Sequence, residues 1–178
     1  MRNIILVIVS LFVFISCDII ISKPIIHPWD GMQKYIITED QKQWIIKFYN
    51  EDIYNQVKDI IYYKDLTGIG GGQYCGDVIY YDSNNKSGQF SEVLHEIMHY
   101  YQDHILHHVY DGIYNYNITL NDIDKTLGSE QEARAIEWVY WYEVKTDGGF
   151  EFQWSEDRLK ILDYLKVYLK NYGLLGGL

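Results

Sequence analysis

Proline, cysteine and clustered basic charge are all scarce in this 178-residue chain. The two prolines, Pro24 and Pro28, both fall within residues 17–37. Proline is hostile to helix interiors, so that segment reads as an extended tether and lead-in. No run of Lys or Arg occurs, and 15 basic against 25 acidic residues leave a formal net charge of -10. Duplex binding needs a clustered basic face, so no nucleic-acid partner is expected. An anionic lipid surface would not be read by charge either. The glycines at 68–72 read as a loop, and no Gly-Lys-Ser/Thr follows them, which excludes a Walker phosphate loop. Cys75 lies in that glycine-rich region with no nucleophile signature around it. No internal repeat is visible. Tyrosine is abundant, 18 residues, but Tyr, Ile, Asn and Lys share AT-rich codons, so genome composition accounts for it as well as an aromatic binding surface does.

The N-terminus, "MRNIILVIVSLFVFISC", has one basic residue, Arg2, and then an apolar run from Ile4 to Ile15 broken only by Ser10. That is the length of a signal-peptide core and short for a membrane span. It ends in Ser16-Cys17, a small residue directly before cysteine. This resembles the lipobox of bacterial lipoproteins, with Phe14 where Leu is commonest. The resemblance implies a signal peptide over 1–16, lipidation of Cys17, and a membrane-anchored protein of the bacterial cell envelope. The alternatives are a plain signal peptide, leaving a secreted chain, and an uncleaved anchor running to Ile21, a run that Asp18 interrupts. A three-acyl anchor holds firmly. With Cys17 lipidated, Cys75 has no intramolecular disulfide partner, and the fold is held by its core.

Downstream the pattern is mostly helical. Thr38-Glu39-Asp40-Gln41 fits a capping box, with Trp44, Ile45, Phe48 and Tyr49 at helical spacing behind it. "DIIYYKD" at 59–65 fits a helix end or a strand, and "GDVIYYD" at 76–82 reads as a strand. Ser129-Glu130-Gln131-Glu132 is a second capping-box pattern opening a helix to about Val144. Ser155 caps a last helix to about Asn171, with Leu159, Leu162, Leu165, Val167 and Leu169 as its core stripe and Gly173 beyond it. The expected fold is a helix-dominated α+β domain over 38–178 with a small sheet.

Five of the six histidines lie in "SEVLHEIMHYYQDHILHH", residues 91–108. His95-Glu96-Ile97-Met98-His99 is H-E-x-x-H. Residues four apart on a helix differ by about 40 degrees, so His95 and His99 point one way and can reach one metal ion. Glu96 lies on the flank of that face, placed to bond a metal-polarised water without ligating the metal. Chance predicts about 0.01 such motifs in a chain of this composition. If the helix continues, His104, His107 and His108 lie about 120 to 220 degrees round from His95 and face away. His104 and His108, four apart, form a conceivable second pair, though a solvated turn is the plainer reading.

"VLHEIMHYYQ" resembles the active-site helix of zincin metallopeptidases, at motif level over about Tyr80 to Tyr142. The metzincin pattern needs glycine and histidine where this chain has Gln102 and Ile105, so that class is excluded. No histidine follows His108. The resemblance then implies a gluzincin-like, minimal zincin-like domain, its sheet beside the motif helix and its third ligand a carboxylate on a second helix. Glu130-Gln131-Glu132-Ala133 fits E-x-x-A. Glu130 is the expected ligand and Glu132 the runner-up, since Glu132 has a competing role as capping partner of Ser129. Glu137 and Asp103 are candidates to orient the histidines; both also read as plain helix charges. Arg134 stands where the family often has an acid. The implied cofactor is Zn²⁺, held by His95, His99 and Glu130, with Glu96 as base toward a water attacking a peptide or protein substrate. Tyr100, Tyr110, Tyr114, Tyr116 and Arg134 are candidate oxyanion donors. The strand Asp77–Tyr81 is a candidate edge for an extended substrate. Two alternatives stand beside this reading: a zinc-holding, non-catalytic envelope lipoprotein, and an interaction protein whose motif is accidental.

Overall fold

Two capped helices open the fold. Thr38 caps the first helix as its spacing predicts. Its hydroxyl accepts from Gln41 N at 3.3 Å, and the Gln41 side chain accepts from Thr38 N at 3.0 Å. The helix, α1 (Glu39–Phe48), stops at Tyr49, and Asn50 caps a separate short helix, α2 (Glu51–Val57), by accepting from Ile53 N. The computed structural model describes residues 32–67, 71–84, 89–108, 115–147, 150–151 and 153–178. The expected signal peptide over 1–16, Cys17 and most of the expected lead-in segment lie outside the described residues. Its last residues do not behave as a tether: Gln33 and Tyr35 exchange backbone hydrogen bonds with Tyr63 and Ile61, and Tyr35 is buried.

Three strands follow: β1 (Ile61–Lys64), β2 (Gly72–Cys75) and β3 (Val78–Asp82). The β-branched and aromatic run at 61–64 thus forms a strand and does not extend α2. β2 corrects the expectation of a loop that reached Gly72. The sheet order is β1-β3-β2, with β1 parallel and β2 antiparallel to β3. β3 is the central strand and Val78–Tyr81 are all buried. Both its edges are paired, so it cannot take up a substrate strand; the open edge near the motif helix belongs to β2.

Three longer helices complete the core. α3 (Phe90–Tyr101) carries the motif and runs into a π-turn, Gln102–Leu106. α4 (Ser129–Val144) packs on α3, and α5 (Glu156–Asn171) packs on α4. Val93, Leu94, Ile97 and Met98 of α3 meet Ala133, Ile136 and Val139 of α4 in one buried cluster. In α5 the buried stripe is Ile161, Leu162, Leu165 and Leu169; Leu159 is 37% and Val167 61% exposed. Val167 lies about 200 degrees round from Leu165, on the solvent side, and Leu159 on its flank. A short hairpin, β4 (Thr146–Asp147) with β5 (Phe150–Glu151), joins α4 to α5. Among the described residues the protein is a helix-dominated α+β fold with a small mixed sheet. No helix among them is long and apolar enough to cross a membrane.

Candidate metal centre

α3 is buried on nearly every side, which forces His95 and Glu96 inward along with its apolar residues. The Nε2 atoms of His95 and His99 lie 3.1 Å apart. Glu130, in the first turn of α4, brings Oε2 to 3.3 Å from His95 Nε2 and 3.6 Å from His99 Nε2. These three atoms converge on one point, and the buried group can hold a metal ion. It is the one cluster of three such ligands found among the described residues. Glu132, the runner-up, turns away. Its Oε2 takes Gln102 Nε2 at 2.8 Å and its Oε1 takes the Tyr168 hydroxyl at 2.8 Å. It does not serve as a cap either. α4 begins one residue earlier than its Ser129 pattern suggests, and Gly128 N donates to the Gln131 side chain at 3.1 Å.

The candidate ligands are held from behind. His95 Nδ1 meets Glu137 Oε1 at 2.6 Å, and Arg134 Nη1 donates to the other Glu137 oxygen at 2.6 Å. Arg134 therefore occupies no oxyanion position; it pins the carboxylate behind His95 and lies over the Trp141 ring. Asp103 reaches neither ligand histidine. It accepts the Tyr74 hydroxyl at 2.7 Å, at the rim. His99 Nδ1 meets Gln102 Oε1 at 2.9 Å instead. The pocket is built for a cation. Burial disfavours charge on His95, but its hydrogen bonds to Glu130 and Glu137 outweigh that and push its pKa up to about 10. Burial would raise Glu130, yet the two histidines hold it well below its ordinary value. Burial pushes Glu96 up, against the pull of both histidines and of a 2.6 Å hydrogen bond from Tyr74 N.

β2 forms the opposite wall. Gly72 is needed there because α3 comes so close: a Cβ on it would lie 2.6 Å from Cγ of the buried Glu96, whereas one on Gly71 would meet only the movable tip of Glu92. Between β2 and α3 is a cleft of about 420 Å³, with the three ligands and Glu96 at its floor. Tyr116 and His108 line it too. His108 corrects the helical extrapolation. The π-turn widens the helix after Tyr101, and His107 adopts a left-handed conformation, φ 53°, so the chain swings back over the cleft. His104 and His108 do not pair: His104 stacks on Tyr100 and meets the Tyr74 hydroxyl, while His108 lies 3.8 Å from Glu132. Tyr100 bonds Gln56 on α2, and Tyr110 and Tyr114 lie outside the described residues. The sequence reading missed β2, Gln102 and His108. For Gln102 a signal existed, since a glutamine three residues after His99 shares its helix face. No protein-family model, curated protein or solved structure matches the chain, so geometry alone bears on what it does.

Proposed function

We propose that the protein is a zinc-dependent peptidase of zincin type. One observation carries this: two histidines and a glutamate converge at the floor of an open cleft, with a second, non-ligating carboxylate, Glu96, fixed beside them. Three ligands about 2.0–2.2 Å from a tetrahedral zinc lie about 3.3 Å apart. The three separations here, 3.1, 3.3 and 3.6 Å, fit that ion. Zinc bound here would supply Lewis acidity and lower the pKa of water toward neutrality. His95, His99 and Glu130 would hold it. Glu96 Oε2 is occupied by Tyr74 N–H, leaving Oε1 to take a proton. As water oxygen bonds the peptide carbonyl carbon, its proton passes to Glu96; the C–N bond then breaks and the proton goes to the leaving amine. Tyr116 and His108 face the cleft and are the candidate donors to the developing oxyanion. Substrate pairing moves from β3 to β2. Tyr74 N–H points away from β3, so by alternation the Gly72 groups do as well, toward an extended peptide.

The test is cleavage of an unstructured protein substrate by zinc-loaded enzyme, read as new termini by mass spectrometry and stopped by chelation. A zinc-loaded protein that cleaves nothing would leave a metal-holding protein in its place. Gly72→Ala probes the wall. The added methyl displaces Glu96, so zinc content is expected to stay at the wild-type level while kcat/KM falls about 10²-fold. Unchanged turnover would mean Glu96 does not act from that position. The Ser16-Cys17 pattern further supports export and lipid anchoring at Cys17; absence of fatty-acid label on the chain in a bacterial host would remove that reading.

A further inference from the structure

The two ligand histidines are held by different chemistry. His95 meets a carboxylate, Glu137, whereas His99 meets the side-chain amide of Gln102. An amide has an accepting oxygen and a donating NH₂ of nearly the same shape, so its partners decide which end faces where. Gln102 is 4% exposed, and its Nε2 donates to two oxygens, the Ser129 carbonyl at 2.9 Å and Glu132 Oε2 at 2.8 Å. Flipping the amide would set its oxygen against both of them. The oxygen is therefore held on His99 Nδ1. An acceptor there requires the proton on Nδ1, and a neutral ring then carries its lone pair on Nε2, the atom that converges with His95 and Glu130.

We infer that Gln102 and Glu132 are positioning residues that lock His99 in the tautomer able to bind metal: Glu132 sets the amide, and the amide sets the ring. Glu132 is 2% exposed and its other oxygen is fixed by Tyr168 of α5, so the lock ties the metal centre to a helix that contributes no ligand. Gln102 stands where α3 passes into the π-turn, three residues beyond His99 and on the same helix face. The inference rests on metal ligation by His99 and not on peptidase activity.

Two readouts test it on the full chain: the His99 tautomer in metal-free protein, from imidazole ¹⁵N spectra with the ring neutral, and zinc affinity by chelator competition. Wild type should show Nδ1–H alone. Glu132→Gln keeps the shape but offers Gln102 either a donor or an acceptor, so a mixture with Nε2–H is expected, with zinc bound about 10-fold more weakly. Gln102→Met removes the amide and should give the same mixture and weaker binding, and adding Glu132→Gln to it should change neither readout further, because Glu132 acts through Gln102. A purely packing role would make the two losses add. An unchanged tautomer and affinity in Glu132→Gln, or additive losses in the double variant, would overturn the lock. If wild type bound no zinc, the metal reading would fall while the tautomer still decided the lock.

Discussion

Glu96→Gln is expected to keep its zinc and lose about 10²- to 10⁴-fold in hydrolysis, the usual contribution of a positioned base. The substitution is nearly isosteric. The amide oxygen can still accept Tyr74 N–H, which holds the wild-type carboxylate at 2.6 Å, so the side chain stays beneath β2. It makes no ligand contact, so metal content should not change. What it loses is the capacity to take a proton, which is the one role proposed for it. Zinc content and turnover measured on the same preparation separate the two effects. A variant with normal zinc and full turnover would sink the assignment. One with no zinc would make Glu96 part of the metal-holding set.

The second large effect lies in the metal itself. Wild type loaded and dialysed should hold about one zinc per chain, and His99→Ala and Glu130→Ala should each lose it by elemental analysis. Their loss should exceed the roughly 10- to 100-fold cost of disturbing an outer partner. Glu132→Ala should keep zinc, bound more weakly, because both its oxygens point to Gln102 and Tyr168 and away from the ion's position. Loss of zinc in Glu132→Ala with retention in Glu130→Ala would reverse the ligand assignment. Zinc should also stabilise the fold, by about 4 kcal/mol at a thousandfold excess over Kd, so chelation should lower Tm. The metal-free pocket still gathers Glu96, Glu130 and Glu137 around two histidines, a buried arrangement that favours any cation.

Much of this architecture can be read from local pattern. Thr38 and Gln41 cap α1 because the bonds involved span three residues and need nothing else from the fold. The helix-dominated α+β class follows from the same local periodicities. The second capping pattern misleads for a tertiary reason. Glu132 has better partners in Gln102 and Tyr168, from two other elements, and the cap passes to Gly128 and Gln131. β2 was hidden because its defining property is closeness to α3, which selects glycine, and glycine reads as loop.

That His95 and His99 share a helix face with Glu96 on its flank is legible from spacing alone, because a helix repeats every 3.6 residues wherever it sits. Spacing also narrows the third candidate ligand to two glutamates two positions apart. It is the packing of the helices that brings Glu130, and not Glu132, beside the histidines. Which carboxylate reaches Nε2 depends on how α4 crosses α3, and helix crossing is set by the packing of Leu94, Ile97, Ala133 and Ile136, not by local spacing. The same holds for His108 at the cleft, where one π-turn and one left-handed residue redirect the chain. It holds too for Gln102, whose amide acquires a direction only from the acceptors that α4 brings to it.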